Sequence, residues 1–451
     1  MRDGELRAVA VLGSVHFAQH VFRILPPLLP VLALSLGYPL WQLGTLVSLY
    51  FAGSGVGQAP VGVLADRYDR RLIVPPSVAA MGVGYLAVAA APRVPDPTAV
   101  AAVVAGVSLT TGFLVMCAGS LVAGLGASAV HPCGYPLVVA NAPPGREGRA
   151  LGVWGSAAKL GDAAAPLAIA GFVLVLSWSE VFVLFGVVGL AYGAALVPAL
   201  SSELVDTRPG RDRAAADGAE PSTSDSGTRG ASSAPTDRRR YAYPFVALLV
   251  FFIARAFSEK GLKAFLPTFL VTVYGYTLTA GRWTLPAESL ADVYFTVVFV
   301  VAAGTVLVTG RLVDRFDPRA VLIGLFAAAT GTLGVLATTA LSPLALLAVL
   351  AVLGATNWGW VPARDAIMSE IAPPSHEGRT FGYLHTVSHL FSAVAPVGIG
   401  LVAGATTLRG SFLVLAAVMV VAVVAIGVLF SDRVYRPATA PEPAGDARDT
   451  P

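Results

Sequence analysis

Read for runs of apolar residues, the chain divides into twelve stretches bounded by charges, prolines or turn residues: 8–33, 43–65, 72–92, 113–141, 149–176, 180–200, 242–273, 290–310, 320–341, 343–370, 379–406 and 410–430. Each reaches the roughly 20 residues that a helix needs to cross a bilayer. The apolar positions are continuous rather than alternating, so the pattern predicts helices throughout. Between the sixth and seventh stretches, residues 201–240 are rich in Ser, Ala, Gly and charge and offer no apolar face to bury. That segment is expected to be a disordered linker, with a similar tail at 437–451, which leaves domains at 1–200 and 241–436. The expected fold class is an all-α membrane protein with twelve transmembrane helices in two pseudo-symmetric six-helix bundles.

Composition narrows this further. Of 451 residues, 55% are hydrophobic and 13% charged, with mean hydropathy +0.72. A soluble protein of this length carries about a quarter charged residues, so a soluble enzyme is excluded. The 47 glycines and 32 prolines are tolerable in membrane helices, where neighbours satisfy the freed backbone groups. Cys117 and Cys133 have no metal-type spacing, and packing is their expected role. A cleavable leader is the bland alternative for the N-terminus, but His16, His20 and Arg23 interrupt the first apolar run.

Net charge is +3, and its layout follows topology instead of forming a nucleic-acid patch. Of the 30 Lys and Arg, 21 fall in the termini, the linker or alternate loops on one side. The opposite loops hold Arg93, Arg282 and Arg409. Basic loops resist translocation, so both termini and the linker are expected to be cytoplasmic, in a multi-pass protein of the plasma membrane.

Two repeats point to duplication. GVLADRYDRR (62–71) matches GRLVDRFDPR (310–319) at an offset of 248, and PGREGRALG (144–152) matches PSHEGRTFG (374–382) at an offset of 230. The difference of 18 residues places an insert in the first half, for which 93–112 is the candidate. A full extra span would break the charge parity, so an extracellular or interfacial helix is expected there.

The GVLADRYDRR loop after the second span resembles the GxLaDrxGrr signature of the major facilitator superfamily, and its copy follows the eighth span. Within that superfamily, the His-rich first span ending PPLLPVL and the run AVHPCGYPLV before PPGREGRALG are similar to fosmidomycin-resistance-type exporters. One departure is Asp69, with Asp317 in the matching place, where the motif usually has glycine. The resemblance implies a gating motif built from Gly62, Asp66, Arg67, Arg70 and Arg71, repeated at Gly310, Asp314 and Arg315. It implies that Asp66 meets the start of span eleven and Asp314 the start of span five when the protein faces outward. Independently of the family, a small residue permits close helix approach and a carboxylate can face a helix N-terminus; the bland reading is that these charges mark short cytoplasmic turns.

A charge within the bilayer costs at least roughly 2.5 kcal/mol, so each should be paired or line a wet cavity. Span one carries His16, His20 and Arg23 on one face. Span five carries Lys159 and Asp162, spaced for an internal pair. Span seven carries Arg255, Glu259 and Lys263 on one face with Lys260 adjacent; Asp292 opens span eight, Arg364 and Asp365 lie in span ten, and His385 and His389 in span eleven. Lys260, Lys263 and Asp292 are expected near a membrane face. The surplus of cations favours an anionic or zwitterionic substrate, with Arg23, Arg255, Arg364, His20 and Asn357 as candidate contacts. Asp162, Asp365, Glu259, His16, His385, His389 and Lys159 are candidates for proton coupling, because imidazoles and buried carboxylates change protonation with environment. Against this stand structural ion pairs and satisfied interior histidines. Trp358 and Trp360 are expected at the interface.

Span five's GDAAAPLAIAG (161–171) partly resembles the antiporter motif of drug exporters, with Ala165 where glycine is usual. The expected function is a secondary transporter working by alternating access, proton-coupled and exporting a small organic anion or drug, with proton-coupled uptake as the alternative and a non-transporting membrane sensor as a weaker one. No HExxH or GxSxG occurs, so an enzyme is not expected. No cofactor or metal is expected. The partners are the substrate, protons and the lipid bilayer, with no nucleic acid, and the chain is expected to act as a monomer.

Overall fold

The computed structural model describes residues 3–104, 106–143, 145–201, 205–208, 238–371 and 387–431. Helices dominate, and they assemble as twelve spans in two bundles. The first half holds span one (Asp3–Val21 continued by Leu25–Leu36), two (Leu40–Arg67), three (Val74–Ala90), four (Thr111–Ala127 with Val130–Ala140), five (Glu147–Phe172) and six (Trp178–Ser201). The second holds seven (Arg238–Phe269), eight (Ala287–Val313), nine (Pro318–Thr338), ten (Pro343–Trp358 with Val361–Ile371), eleven (Val387–Ala405 in its described part) and twelve (Leu408–Gly427).

Packing repeats with a shift of six. In the first half, three packs on four and six, two on four, and one on five; in the second, nine packs on ten and twelve, eight on ten, and seven on eleven. The halves meet through one with seven, two with eleven and five with eight. Glycine makes the two–eleven contact close, because a Cβ on Gly44 would strike the backbone of Pro396 and one on Gly400 the backbone of Leu40 and Trp41. Ser48 Oγ accepts the Val397 N–H across this seam at 3.1 Å. These contacts sit at the ends remote from the Arg-rich loops, so the bundles are sealed on the side opposite the linker.

Among the described residues nine spans are apolar enough by composition to cross a membrane. Two, five and seven fall short of that measure although they run 28, 26 and 32 residues. Five and seven carry four of the buried charges, Asp162, Arg255, Lys260 and Lys263, and all three line the seam between the halves.

Span one is broken at Phe22–Ile24. Its second piece begins with Pro26 and Pro27, whose missing N–H groups cost nothing in a first turn. The Tyr85 hydroxyl donates to the Phe22 carbonyl left free by the break. Irregular backbone at membrane depth is tolerated where protein satisfies it, and here it turns His20 and Arg23 toward the centre.

The 93–112 insert is a β-hairpin, Val100–Val104 paired antiparallel with Val107–Thr110, not the helix expected from the sequence. Its β-branched valines favour strand, and Gly106 takes the turn at φ 79°. A smaller hairpin, Leu278–Ala280 with Trp283–Leu285, occupies the seven–eight loop.

Most of the expected linker lies outside the described residues, but 205–208 are anchored. Asn141 holds Asp206 by two bonds, accepting from its N–H (2.7 Å) and donating to its carbonyl (2.9 Å), and the Arg70 N–H donates to the Thr207 carbonyl (3.1 Å).

Candidate functional site

At the centre, spans one, two, three, five, seven and eight line a cavity with about 470 Å³ of empty space, open solvent at its mouth included, and its polar wall holds His20, Arg23, Tyr50, Tyr85, Asp162 and Lys263. Gly161 sets its geometry. A Cβ there would meet the Phe17 carbonyl at 2.5 Å and His20 Cβ at 2.7 Å, so glycine lets span five press against span one and deliver the next residue, Asp162, to His20. His20 Nδ1–H donates to Asp162 Oδ1 at 2.8 Å. Arg23 Nη1 lies 3.7 Å from that oxygen. From the other half, Lys263 Nζ stands 3.4 Å from both Asp162 oxygens. One acid of the first bundle is thus held by cations of both.

Lys263 also approaches Glu259 Oε1 at 4.0 Å and stacks over Phe299 at 4.9 Å. Glu259 is bound within its own half, by Arg255 Nη1 at 2.5 Å and by the Trp358 indole N–H at 2.9 Å. Arg255 and Arg364 lie over Trp360, at 4.2 and 5.0 Å, a favourable placement for guanidinium groups on an indole face. His20, Arg23, Asp162, Lys263, Glu259, Arg255 and Arg364 therefore form one connected chain. Lys260 Nζ donates to the His389 carbonyl at 3.1 Å and stacks on Phe51 of the other half at 4.8 Å.

Several residues sit elsewhere than the sequence predicts. Lys159 does not pair with Asp162 and makes no ion pair among the described residues, because Asp162 faces spans one and seven, where other cations take it up. Trp358 and Trp360 are buried in the bundle, at 2% and 4% exposure, and not at the interface; span ten breaks at Gly359 and turns both rings inward onto Glu259 and the two arginines. Lys260, Lys263 and Asp292 are buried, with the seam between the halves running past them. Asn357 is fully enclosed, and its amide has no partner among the described residues. His385 and the side chain of Asp365 lie outside the described residues.

His16 stacks on Trp154 with ring centres 3.6 Å apart, and its Nδ1–H donates to the Trp154 carbonyl at 2.8 Å. His131, 5.3 Å from His16, completes a trio that the sequence reading passed over, since a single histidine in span four shows no periodic partner.

At the loops, Gly62 and Gly310 have open space near their Cβ positions or only a distant neighbour. Asp66, Arg67, Asp314 and Arg315 are exposed. Asp314 makes no ion pair with the start of span five among the described residues, and the start of span eleven, expected to meet Asp66, lies outside them. The two departures from the motif perform one matching task. Asp69 caps Arg71 N–H at 3.0 Å and pairs with its guanidinium at 3.0 Å. Asp317 caps Arg319 N–H at 2.8 Å and clamps its guanidinium at 2.6 Å. Arg319 adds a bond to the Leu429 carbonyl at 2.8 Å, and the hydrogen bonds from Arg319 hold the Asp317 carboxyl below the usual carboxylate range. Arg70 is buried.

The Major Facilitator Superfamily family model matches residues 13–359 and 283–450. The chain belongs to the major facilitator superfamily. It is similar to an uncharacterised MFS-type transporter of Mycobacterium tuberculosis, 29% identical over 158 residues, which is 34% of this chain and 24% of that protein. It is also similar to a probable L-galactonate transporter of Escherichia coli, 26% identical over 156 residues, 35% of this chain and 30% of that one. The match thus spans about a quarter to a third of these relatives. Among solved structures, a bacterial homologue of the human lysosomal transporter Spinster, in an inward-facing and unoccupied conformation, superposes with TM-score 0.70 at 15% identity, covering 97% of this chain and 100% of that one. A D-xylose–proton symporter gives 0.71 at 14% identity, covering 94% and 96%. These likenesses are of fold.

Proposed function

We propose that the protein is a secondary active transporter of the plasma membrane that moves a small organic anion by alternating access, coupled to protons through Asp162. The observation that carries this reading is the bond of Asp162 to Lys263 across the seam, beside Arg23, in the central cavity. In the cavity wall Arg23 and Lys263 stand against Asp162, with Arg255, Lys260 and Arg364 against Glu259 behind them, so cations are in surplus. Arginine and lysine bind carboxylates through charge-assisted bonds. An anionic substrate therefore suits the cavity.

The coupling follows from competition. An ionised Asp162 occupies Lys263, and a proton on Asp162 frees that lysine, with Arg23, for a substrate carboxylate. Proton and anion then load together. Export, the direction expected from the sequence and from the likeness to fosmidomycin-resistance-type exporters, needs the two to exclude one another. The geometry favours the alternative, proton–anion uptake, and the partial match to a probable L-galactonate transporter, named for a sugar acid, agrees with it. The termini and linker are cytoplasmic in this reading, the cavity is sealed on the outer side, and the unengaged Asp314 accords with an inward-facing state. The protein works as a monomer.

Purified protein in liposomes tests this with radiolabelled sugar acids and other organic anions under an imposed pH gradient. Accumulation when the outside is acid, abolished by an uncoupler, is the expected result. Expulsion of the anion as protons enter would establish export instead, and movement indifferent to the gradient would remove proton coupling.

A further inference from the structure

Asp292 in span eight is 1% exposed, and neither carboxyl oxygen has a hydrogen-bond partner or a cation within 4.0 Å among the described residues. Its place is defined by its neighbours on the helix. One turn before it, Ser289 Oγ donates to the Ala170 carbonyl at 2.8 Å, and one turn after it, Thr296 Oγ1 reaches the Ala163 carbonyl at 3.3 Å. Both carbonyls belong to span five, on either side of Pro166. Asp292 is therefore clasped in the five–eight seam, near the outer end of its helix, between two polar stitches that join the halves.

The packed elements offer it no counter-ion. On span five, Asp162 is engaged by Lys263, and Lys159 lies on a different turn. On span seven, Arg255, Glu259, Lys260 and Lys263 are all engaged; Lys263 stacks on Phe299, seven residues and about 10 Å along the helix from Asp292. The Tyr274 hydroxyl, after span seven, donates to the Leu336 carbonyl. Pro343–Trp358 of span ten and Leu25–Leu36 of span one carry no titratable side chain; Arg364, farther along span ten, lies over Trp360. On its own helix the nearest charged group is Glu288, a like charge. An isolated carboxylate in such a place neutralises by taking a proton.

We propose that Asp292 is a second proton-binding site, loaded from the outer face, whose neutral form holds the seam between spans five and eight shut. When the outer side opens, water reaches the carboxyl and it ionises; resealing requires the proton back. The sealed state binds the proton more tightly than the open one, so lowering the pH shifts the population toward sealed. The inference deepens the proton-coupling reading above and rests on it only for its biological use.

The test needs no substrate. In the full chain with Cys117 and Cys133 replaced by alanine, spin labels at Val175→Cys, beyond the outer end of span five, and Ala280→Cys, in the hairpin before span eight, report the seam distance in lipid nanodiscs across a pH series. The parent is expected to gain the short-distance population as pH falls. Asp292→Asn, which mimics the protonated acid, should stay short at every pH, and Asp292→Glu should titrate at a shifted midpoint. A parent distance independent of pH overturns the proposal, as does an Asp292→Asn titration identical to the parent's. If the asparagine variant does not fold, an unshifted midpoint in Asp292→Glu overturns it equally. Loss of gradient-driven uptake with the seam titration intact would count against the transport reading alone.

Discussion

In each half one acid joins the ion network at the central cavity, and the two are held in different ways. Glu259 is bound by Arg255 and Trp358 of its own bundle, whereas Asp162 shares its charge with Lys263 of the other. A contact inside one rigid bundle survives rocking. A contact between bundles must be remade on every cycle. Glu259 is thus part of the scaffold that presents Lys263, and Asp162 is the group whose charge state decides whether that lysine is available.

The contrast breaks most visibly at Glu259. Glu259→Gln leaves Arg255 buried without its carboxylate, and removing one partner of a buried pair costs about 3–5 kcal/mol; thermal unfolding in detergent should register a large loss, with transport falling alongside it. Asp162→Asn should cost less stability, about 1–3 kcal/mol, because the cavity can solvate the cations left behind. Its signature is separation of functions: gradient-driven accumulation disappears while exchange of labelled for unlabelled anion across the membrane continues. If Asp162→Asn destroys both, or neither, the two acids do not differ as described.

A third variant acts on the seam without touching charge. Gly44→Ala places a methyl against the Pro396 backbone, and overpacking of this kind costs about 1–3 kcal/mol. It should disfavour the sealed state specifically, seen as greater outer-side accessibility of the cavity to a membrane-impermeant thiol reagent at a cysteine introduced at Phe51. The smallest effect belongs to the loop acids. Asp317→Asn should lower stability by about 0.3–1 kcal/mol and Asp69→Asn by less, since Arg71 is the more exposed partner. The Asp317 carboxyl is held below its ordinary range by Arg319, so its contribution is present above the unfolded-state value and is lost as pH falls through the folded one. Comparing melting of parent and Asp317→Asn through that acid range checks the sign.

The twelve spans and the doubled loop motif were readable because hydropathy and fixed-offset repetition are local properties of the chain. The partners of the charges were not. Lys159 and Asp162 have helical spacing for a pair, yet His20, Arg23 and Lys263 from two other spans surround Asp162, and no spacing within one span reveals which neighbour a helix face meets. Gly161 carried a signal, a glycine beside the one acid in the middle of span five, that marks close helix approach. Asp292 reads as a residue at a span's start because the apolar run begins at 290, whereas the helix begins at Ala287 and packs its first turns against span five. Trp358 and Trp360 were misplaced for a related reason: aromatic residues favour interfaces in general, but these have an acid and two guanidinium groups to occupy inside the bundle.

The face-to-face stack of His16 on Trp154 has a practical consequence. An indole lying flat against an imidazole is an intrinsic optical gauge, because a positively charged ring quenches the excited indole where a neutral one does so only weakly. Trp154 emission, isolated by replacing the other five tryptophans with phenylalanine, would let the acidity felt beside span one be followed in real time, with no added dye.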